Sequence, residues 1–312
     1  MKRIFAFSLV LVLASNVYGA EVLDLNTALQ NTYKACADID DNLHELKVLA
    51  GVNTAVTAVG TGLGVGATAT GFAKAATDKK IEDLEEQLKK YIVENEGLDI
   101  MPDDPDKFIK DLESYLKKAS SEKKKEAESL KELEQKSKKL GNWRTGLLAG
   151  NTATNIAGAV IASKTINKDD IKGQIDACVS ATQALNTAIT AAKLNGEDIE
   201  EAQNIYKACR EYEFVDISSI NKRGKGAMIS SSVGAVVGGV GTITSGVANS
   251  DKIRDDNTDA GKKKEKDLNT ASNVLSVGAT AASATATVFN ATQIAAIKKV
   301  AKVSESCTGV LK

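Results

Sequence analysis

Four stretches of the chain carry no charged residue: 48–73 between Lys47 and Lys74, 145–163 between Arg144 and Lys164, 226–250 between Lys225 and Asp251, and 268–297 between Asp267 and Lys298. Between them the sequence is charge-dense, above all from Asp78 to Leu140, where both signs interleave. Sustained apolar/polar alternation punctuated by turn residues is absent from the charge-free blocks, so the pattern predicts long helices rather than strands. Within the charged segment Ile81, Leu84, Leu88 and Tyr91 step by three or four, as do Phe108, Leu112, Tyr115 and Ala119, with Ala127, Leu130 and Leu133 on a returning helix. Narrow seams of this kind predict an antiparallel coiled-coil stalk over 78–140.

The segment Gln30-Asn31-Thr32-Tyr33-Lys34-Ala35-Cys36 recurs as Gln203-Asn204-Ile205-Tyr206-Lys207-Ala208-Cys209, matching at six of seven positions. After each copy the order is the same: a charge-free block, a charged segment, a second charge-free block and a closing cysteine, Cys178 or Cys307. This reads as an internal duplication. Turn signals fall midway along each half, at Met101-Pro102-Asp103-Asp104-Pro105 and at Asp255–Gly261, with another between the halves at Leu194-Asn195-Gly196. The expected fold is therefore all-α: two duplicated helical hairpins running up-down-up-down, the first over 20–193 with the stalk and the second over 194–312.

Small residues recur every four positions within the blocks. One column holds Ser230, Gly234, Gly238, Thr242, Gly246 and Ser250; others hold Gly146, Gly150, Thr154, Gly158 and Ala162, or Ala50, Thr54, Ala58, Gly62, Gly66 and Thr70, with a short one at Gly278, Ala282 and Ala286. Such glycine-zipper columns let helix backbones approach closely where lipid supplies no hydrophobic drive. In water each glycine costs about 1 kcal/mol relative to alanine, so the glycines call for a compensating contact. The expected helix-packing residues are Gly62, Gly66, Gly146, Gly150, Gly158, Gly234, Gly238, Gly246 and Gly278.

Composition narrows the function. Hydrophobic residues make up 43% of the 312 but aromatics only 4%, which argues for a core of small side chains. The net charge of -1 gives no global field toward nucleic acid. A single histidine, His44, excludes most histidine-dependent catalytic arrangements, no Ser/His/Asp triad signal is separable, and His44-Glu45 lacks the second histidine of a zinc protease motif. Gly71 is followed by Phe72-Ala73 where a phosphate-binding loop needs Lys-Ser/Thr. No catalytic residue, cofactor or metal is expected, and the chain reads as a non-enzyme.

Lys2 and Arg3, an apolar run from Ile4 to Ala14 and Val17-Tyr18-Gly19 have the order of a secretory signal cleaved after Gly19. Export makes Cys36, Cys178, Cys209 and Cys307 two disulfides rather than a metal site, since none has the close spacing of a zinc knuckle. Three pairings are open; closure of each hairpin on itself favours Cys36 with Cys178 and Cys209 with Cys307.

Each block is long enough, or nearly so, to cross a hydrocarbon core of about 30 Å at about 1.5 Å per residue. Thr, Ser, Asn and Gly dilute their hydropathy, yet a helix in water carries charge on its outer face and these carry none. The expected function is an exported cell-envelope protein whose four small-residue helices embed in a lipid bilayer and self-associate, structural, anchoring or pore-like in role. The competing reading is a soluble periplasmic or secreted scaffold that binds a protein partner through 78–140.

Overall fold

Helix formers fill the chain between its few breakers, and its two prolines, Pro102 and Pro105, are confined to one short stretch. The computed structural model describes residues 23–96, 121–167, 170–254, 256 and 258–311. The signal segment, the turn at 101–105 and the stalk positions 97–120 lie outside the described residues.

The elements are α1 (Leu25–Cys36), α2 (Ile39–Glu96), α3 (Ser121–Asn167), α4 (Asp170–Leu194), α5 (Glu200–Cys209), a 3-10 turn (Arg210–Phe214), α6 (Ser218–Ala248), α7 (Asp251–Arg254) and α8 (Asp259–Leu311). Every element among the described residues is helical, as the all-α reading expects. Local chemistry sets the ends. Asp24 caps α1 by accepting from the Thr27 N–H at 3.0 Å. The Thr27 hydroxyl and N–H both hold the Asp24 carboxyl below its ordinary pKa. Gly196, at φ 73°, takes the left-handed conformation that lets Glu197 N–H reach back to the Ala192 carbonyl and end α4. Asp256 accepts from Thr258, whose own hydroxyl accepts from Gly261 N–H to open α8.

The chain forms two compact units that do not follow chain order. The first gathers the described residues up to Leu49, with Thr165–Lys222 and Thr292–Lys312; the second comprises Ala50–Lys164 and Arg223–Ala291. Both sequence-derived hairpins, 20–193 and 194–312, contribute to each unit.

The first unit buries apolar side chains and turns charged ones outward. Ile39, Leu43, Ile175, Leu185, Ile205, Ile297 and Val300 are buried, while Glu45, Lys172, Asp176, Lys207 and Lys299 face outward. Here α1 packs on α4, and α4 on α5 and the 3-10 turn. Both disulfides lie in this core, Cys36–Cys178 and Cys209–Cys307, closing separations of 142 and 98 residues.

The second unit is a four-helix bundle whose neighbours are all antiparallel, and the register of its contacts shows this. Along α2, Gly60, Gly64 and Gly71 meet Thr154, Asn151 and Arg144 of α3 in falling order. Thr57, Thr61 and Thr68 of α2 meet Asn290, Thr287 and Thr280 of α8, again in falling order. Gly158 and Gly141 of α3 face Ser231 of α6 and Asn249 just past its end, and Gly226 and Gly241 of α6 face Phe289 and Leu275 of α8.

Candidate functional site

Buried positions in the bundle recur in alternating steps of three and four. On α2 they are Asn53, Thr57, Gly60, Gly64, Ala67, Gly71 and Lys74; on α3 Gly141, Arg144, Leu148, Asn151, Asn155, Gly158 and Ala162. On α6 they are Gly224, Ala227, Ser231, Gly234, Gly238, Gly241 and Ser245; on α8 Asn269, Ser272, Ser276, Ala279, Ser283, Ala286 and Asn290. A mean step of about 3.5 is the heptad period of left-handed supercoils, and it differs from the four-residue columns legible in the sequence.

The glycines singled out from sequence divide accordingly. Gly158, Gly234 and Gly238 are buried against other helices. Gly66 and Gly150 are half-buried beside Leu147 and Leu63, and Gly278 lies beside Val237. Gly62 and Gly146 face outward with nothing within 4 Å of where a Cβ would stand, and Gly246 is also exposed. A column of strict period four drifts around an α-helix, so only part of it stays on a contact face.

What fills the glycine gaps is polar. Asn151 lies over Gly60 and Gly64, Asn155 over Gly234, Asn249 over Gly141 and Asn273 over Gly71. Amide and hydroxyl groups then bond to one another along the axis. Asn155 Nδ2 donates to Ser283 Oγ at 2.8 Å, and Ser283 Oγ to Asn151 Oδ1 at 2.9 Å. Nearer the other end Asn53 Nδ2 donates to Asn290 Oδ1 at 2.9 Å, and Asn290 Nδ2 to Thr57 Oγ1 at 3.3 Å.

Apolar side chains take the opposite position. Among the described residues of this unit Leu148 and Ile253 are the only buried aliphatic side chains larger than alanine. Val59, Val65, Ile156, Val160, Val233, Val236, Val240, Ile243, Val274 and Val288 face outward, Val236 and Val274 each 67% exposed. The bundle is inverted relative to a water-soluble one. Three helical stretches, Leu25–Gln87, Ser218–Ala248 and Asp259–Leu311, are long and apolar enough to cross a membrane, with only 28% of each apolar window buried. The fourth charge-free run, on α3, is not among them, because Asn151, Thr152, Thr154 and Asn155 lower its hydropathy.

At one end of the bundle the interior turns ionic. Lys74, 1% exposed, donates to Asp78 at 2.7 Å and Glu265 at 3.1 Å, and Asp78 also accepts from Ser137. Arg144, fully buried, donates to the Asn269 carbonyl at 3.3 Å. Lys74 and Arg144 bound charge-free blocks in the sequence; both lie on the heptad face, in step with Gly71 and Gly141. The three-residue step from each glycine to its cation is present in the sequence, but it singles out neither cation until the partner helices fix the interior face. Beyond this layer Lys262 pairs with Glu85 at 2.6 Å and Lys266 with Glu82 at 3.4 Å, so part of the stalk's charge is answered by α8. Ile81, Leu84, Leu130 and Leu133 are half-buried there, the described part of the expected seam.

In the first unit the sulfurs of Cys36, Cys209 and Cys307 lie within 4.8 Å of one another. The four cysteines are far apart in sequence; the fold gathers these three, and each sulfur is already spent in a disulfide. Compared with protein-family models, curated proteins and solved structures, the chain matches none, so its chemistry is read from its own residues.

Proposed function

We propose that this is an exported, non-enzymatic envelope protein whose second unit embeds in a lipid bilayer, in a structural or anchoring role. The inverted polarity of that unit carries the reading. In water, each outward valine or isoleucine forgoes about 1.5–3 kcal/mol of burial, while buried Asn, Ser and Thr gain only the modest net value of intramolecular hydrogen bonds. In hydrocarbon both signs reverse: the valines are solvated by acyl chains, and the amides and hydroxyls are satisfied within the bundle. Close Asn-on-Gly packing then holds the helices together without a hydrophobic drive. The disulfide-closed first unit, with charged groups outward, supports export into an oxidising compartment.

The test is alkaline carbonate washing of membranes from cells expressing the full chain. The expected result is retention in the pellet. Release as a soluble, helical, disulfide-bonded species would overturn the reading and leave a soluble scaffold acting through 78–140.

A further inference from the structure

The charged-to-apolar edges of the four bundle helices coincide. Arg144 bonds to Asn269, two residues from the last charge of α8 before its apolar run, Asp267. Gly71, three residues from Lys74, touches Arg144, and Gly141 touches Asn249, two residues from Asp251. All four helices therefore change character at one level, as helices do where they leave a bilayer.

At that level two aromatic rings point outward, Phe72 on α2, 58% exposed, and Trp143 on α3, 69% exposed. Trp143 is the amphipathic one of the two, and tryptophan concentrates at membrane–water boundaries. An open apolar hollow beside Trp143 is lined by Asn142, Gly146 and Leu147, and Gly146 leaves it unobstructed. Lys139 and Lys136 stand one and two turns toward the charged side on the same helical face, both exposed. Between Glu134 and Asp169 the sequence of α3 holds no acid, so this strip is basic, then aromatic, then apolar.

We propose that this strip seats an anionic phospholipid: its phosphate at Lys139 and Lys136, its glycerol region beside Trp143 and an acyl chain in the hollow over Gly146 and Leu147. The inference rests on the bilayer reading and adds to it a boundary plane and a lipid class. Charge complementarity selects the occupant, because each basic side chain near a membrane surface favours an anionic headgroup about fivefold.

Trp143 is the sole tryptophan, so its fluorescence reports on this place alone. The full chain is reconstituted into vesicles of phosphatidylcholine and phosphatidylglycerol, one of the two lipids being brominated, and insertion is read separately by flotation after carbonate washing. Bromine near the carboxyl end of the acyl chain is expected to quench Trp143 more strongly than bromine near the methyl end. Brominated phosphatidylglycerol is expected to quench more than brominated phosphatidylcholine at equal mole fraction, and Lys139→Gln with Lys136→Gln to abolish that difference. Inserted protein with Trp143 unquenched, quenched alike at both depths or quenched alike by both lipids would overturn the lipid seat while leaving the bilayer reading in place. Protein that fails to float would overturn the bilayer reading itself.

Discussion

Asn155 of α3 lies over Gly234 of α6 so closely that a Cβ on Gly234 would stand 2.6 Å from its Oδ1. Asn155 has little freedom to retreat, because its Nδ2 is held by Ser283 at 2.8 Å and by Asn151 at 2.8 Å. Gly234→Ala should therefore break a hydrogen-bonded cluster as well as crowd it, costing about 1–3 kcal/mol as overpacking does. Gly62→Ala and Gly146→Ala, where a Cβ meets nothing within 4 Å, should be tolerated. Thermal unfolding of the three variants in one detergent checks this; equal losses at Gly62 and Gly234 would reject the heptad interface.

Inverted polarity predicts a substitution whose effect depends on solvent. Val236 is 67% exposed near the middle of the charge-free run of α6. In water Val236→Lys would be a surface change worth within about 0.5 kcal/mol. Facing hydrocarbon, a lysine there costs about 2.5–3.5 kcal/mol on insertion scales. The carbonate-resistant fraction of V236K should fall well below that of the parent while Val236→Leu keeps it; equal retention of the lysine variant would place this face away from lipid.

The helical class was legible because long charge-free and charge-dense runs, interrupted by proline only at Pro102 and Pro105, admit little else, and the breaks at Asn195-Gly196 and ahead of Asp259 were marked by their own turn chemistry. The inside of the bundle was not. Gly, Ala, Ser and Thr occupy every face of these helices, so sequence alone offers several equally good columns. The choice among them is made by partners distant in sequence, as when Asn151 meets Gly60 and Gly64, or Asn273 meets Gly71. Lys74 and Arg144 were hidden for the same reason: a cation at a block's end looks like a flank until the neighbouring helix shows which face is interior. The two units also mix segments from both halves of the chain, which no local signal announces.

The cysteine arrangement predicts exchange in a single mutant. With Cys178→Ser, Cys36 is left as a thiol whose sulfur lies within 4.8 Å of those of Cys209 and Cys307. Its thiolate can attack one sulfur of the Cys209–Cys307 bond, forming a new disulfide to Cys36 and releasing the other cysteine as a thiolate. Peptide mapping under non-reducing, acid-quenched conditions should find Cys36 linked to Cys209 or Cys307 in C178S, and only Cys36–Cys178 and Cys209–Cys307 in the parent. An intact Cys209–Cys307 bond with Cys36 wholly free would show that the sulfurs do not reach one another.

Tyr212 gives the first unit an alkaline limit. Burial pushes its phenol up to about 12 from an ordinary 10.0; the Ser304 hydroxyl beside it pulls the other way, and the Asp40 carboxylate adds to the rise. Below about pH 10 the phenol is protonated both folded and unfolded, and it makes no pH-dependent contribution. Between about 10 and about 12 the unfolded chain gives up this proton while the folded chain keeps it, so stability falls as pH rises. Tyr212→Phe removes the titration without removing the ring. Denaturant midpoints measured across that window should decline more steeply for the parent than for Y212F. Parallel declines would show that the Tyr212 phenol ionises as readily in the folded chain as in the unfolded one, and hence that the core around Ser304 and Asp40 admits water.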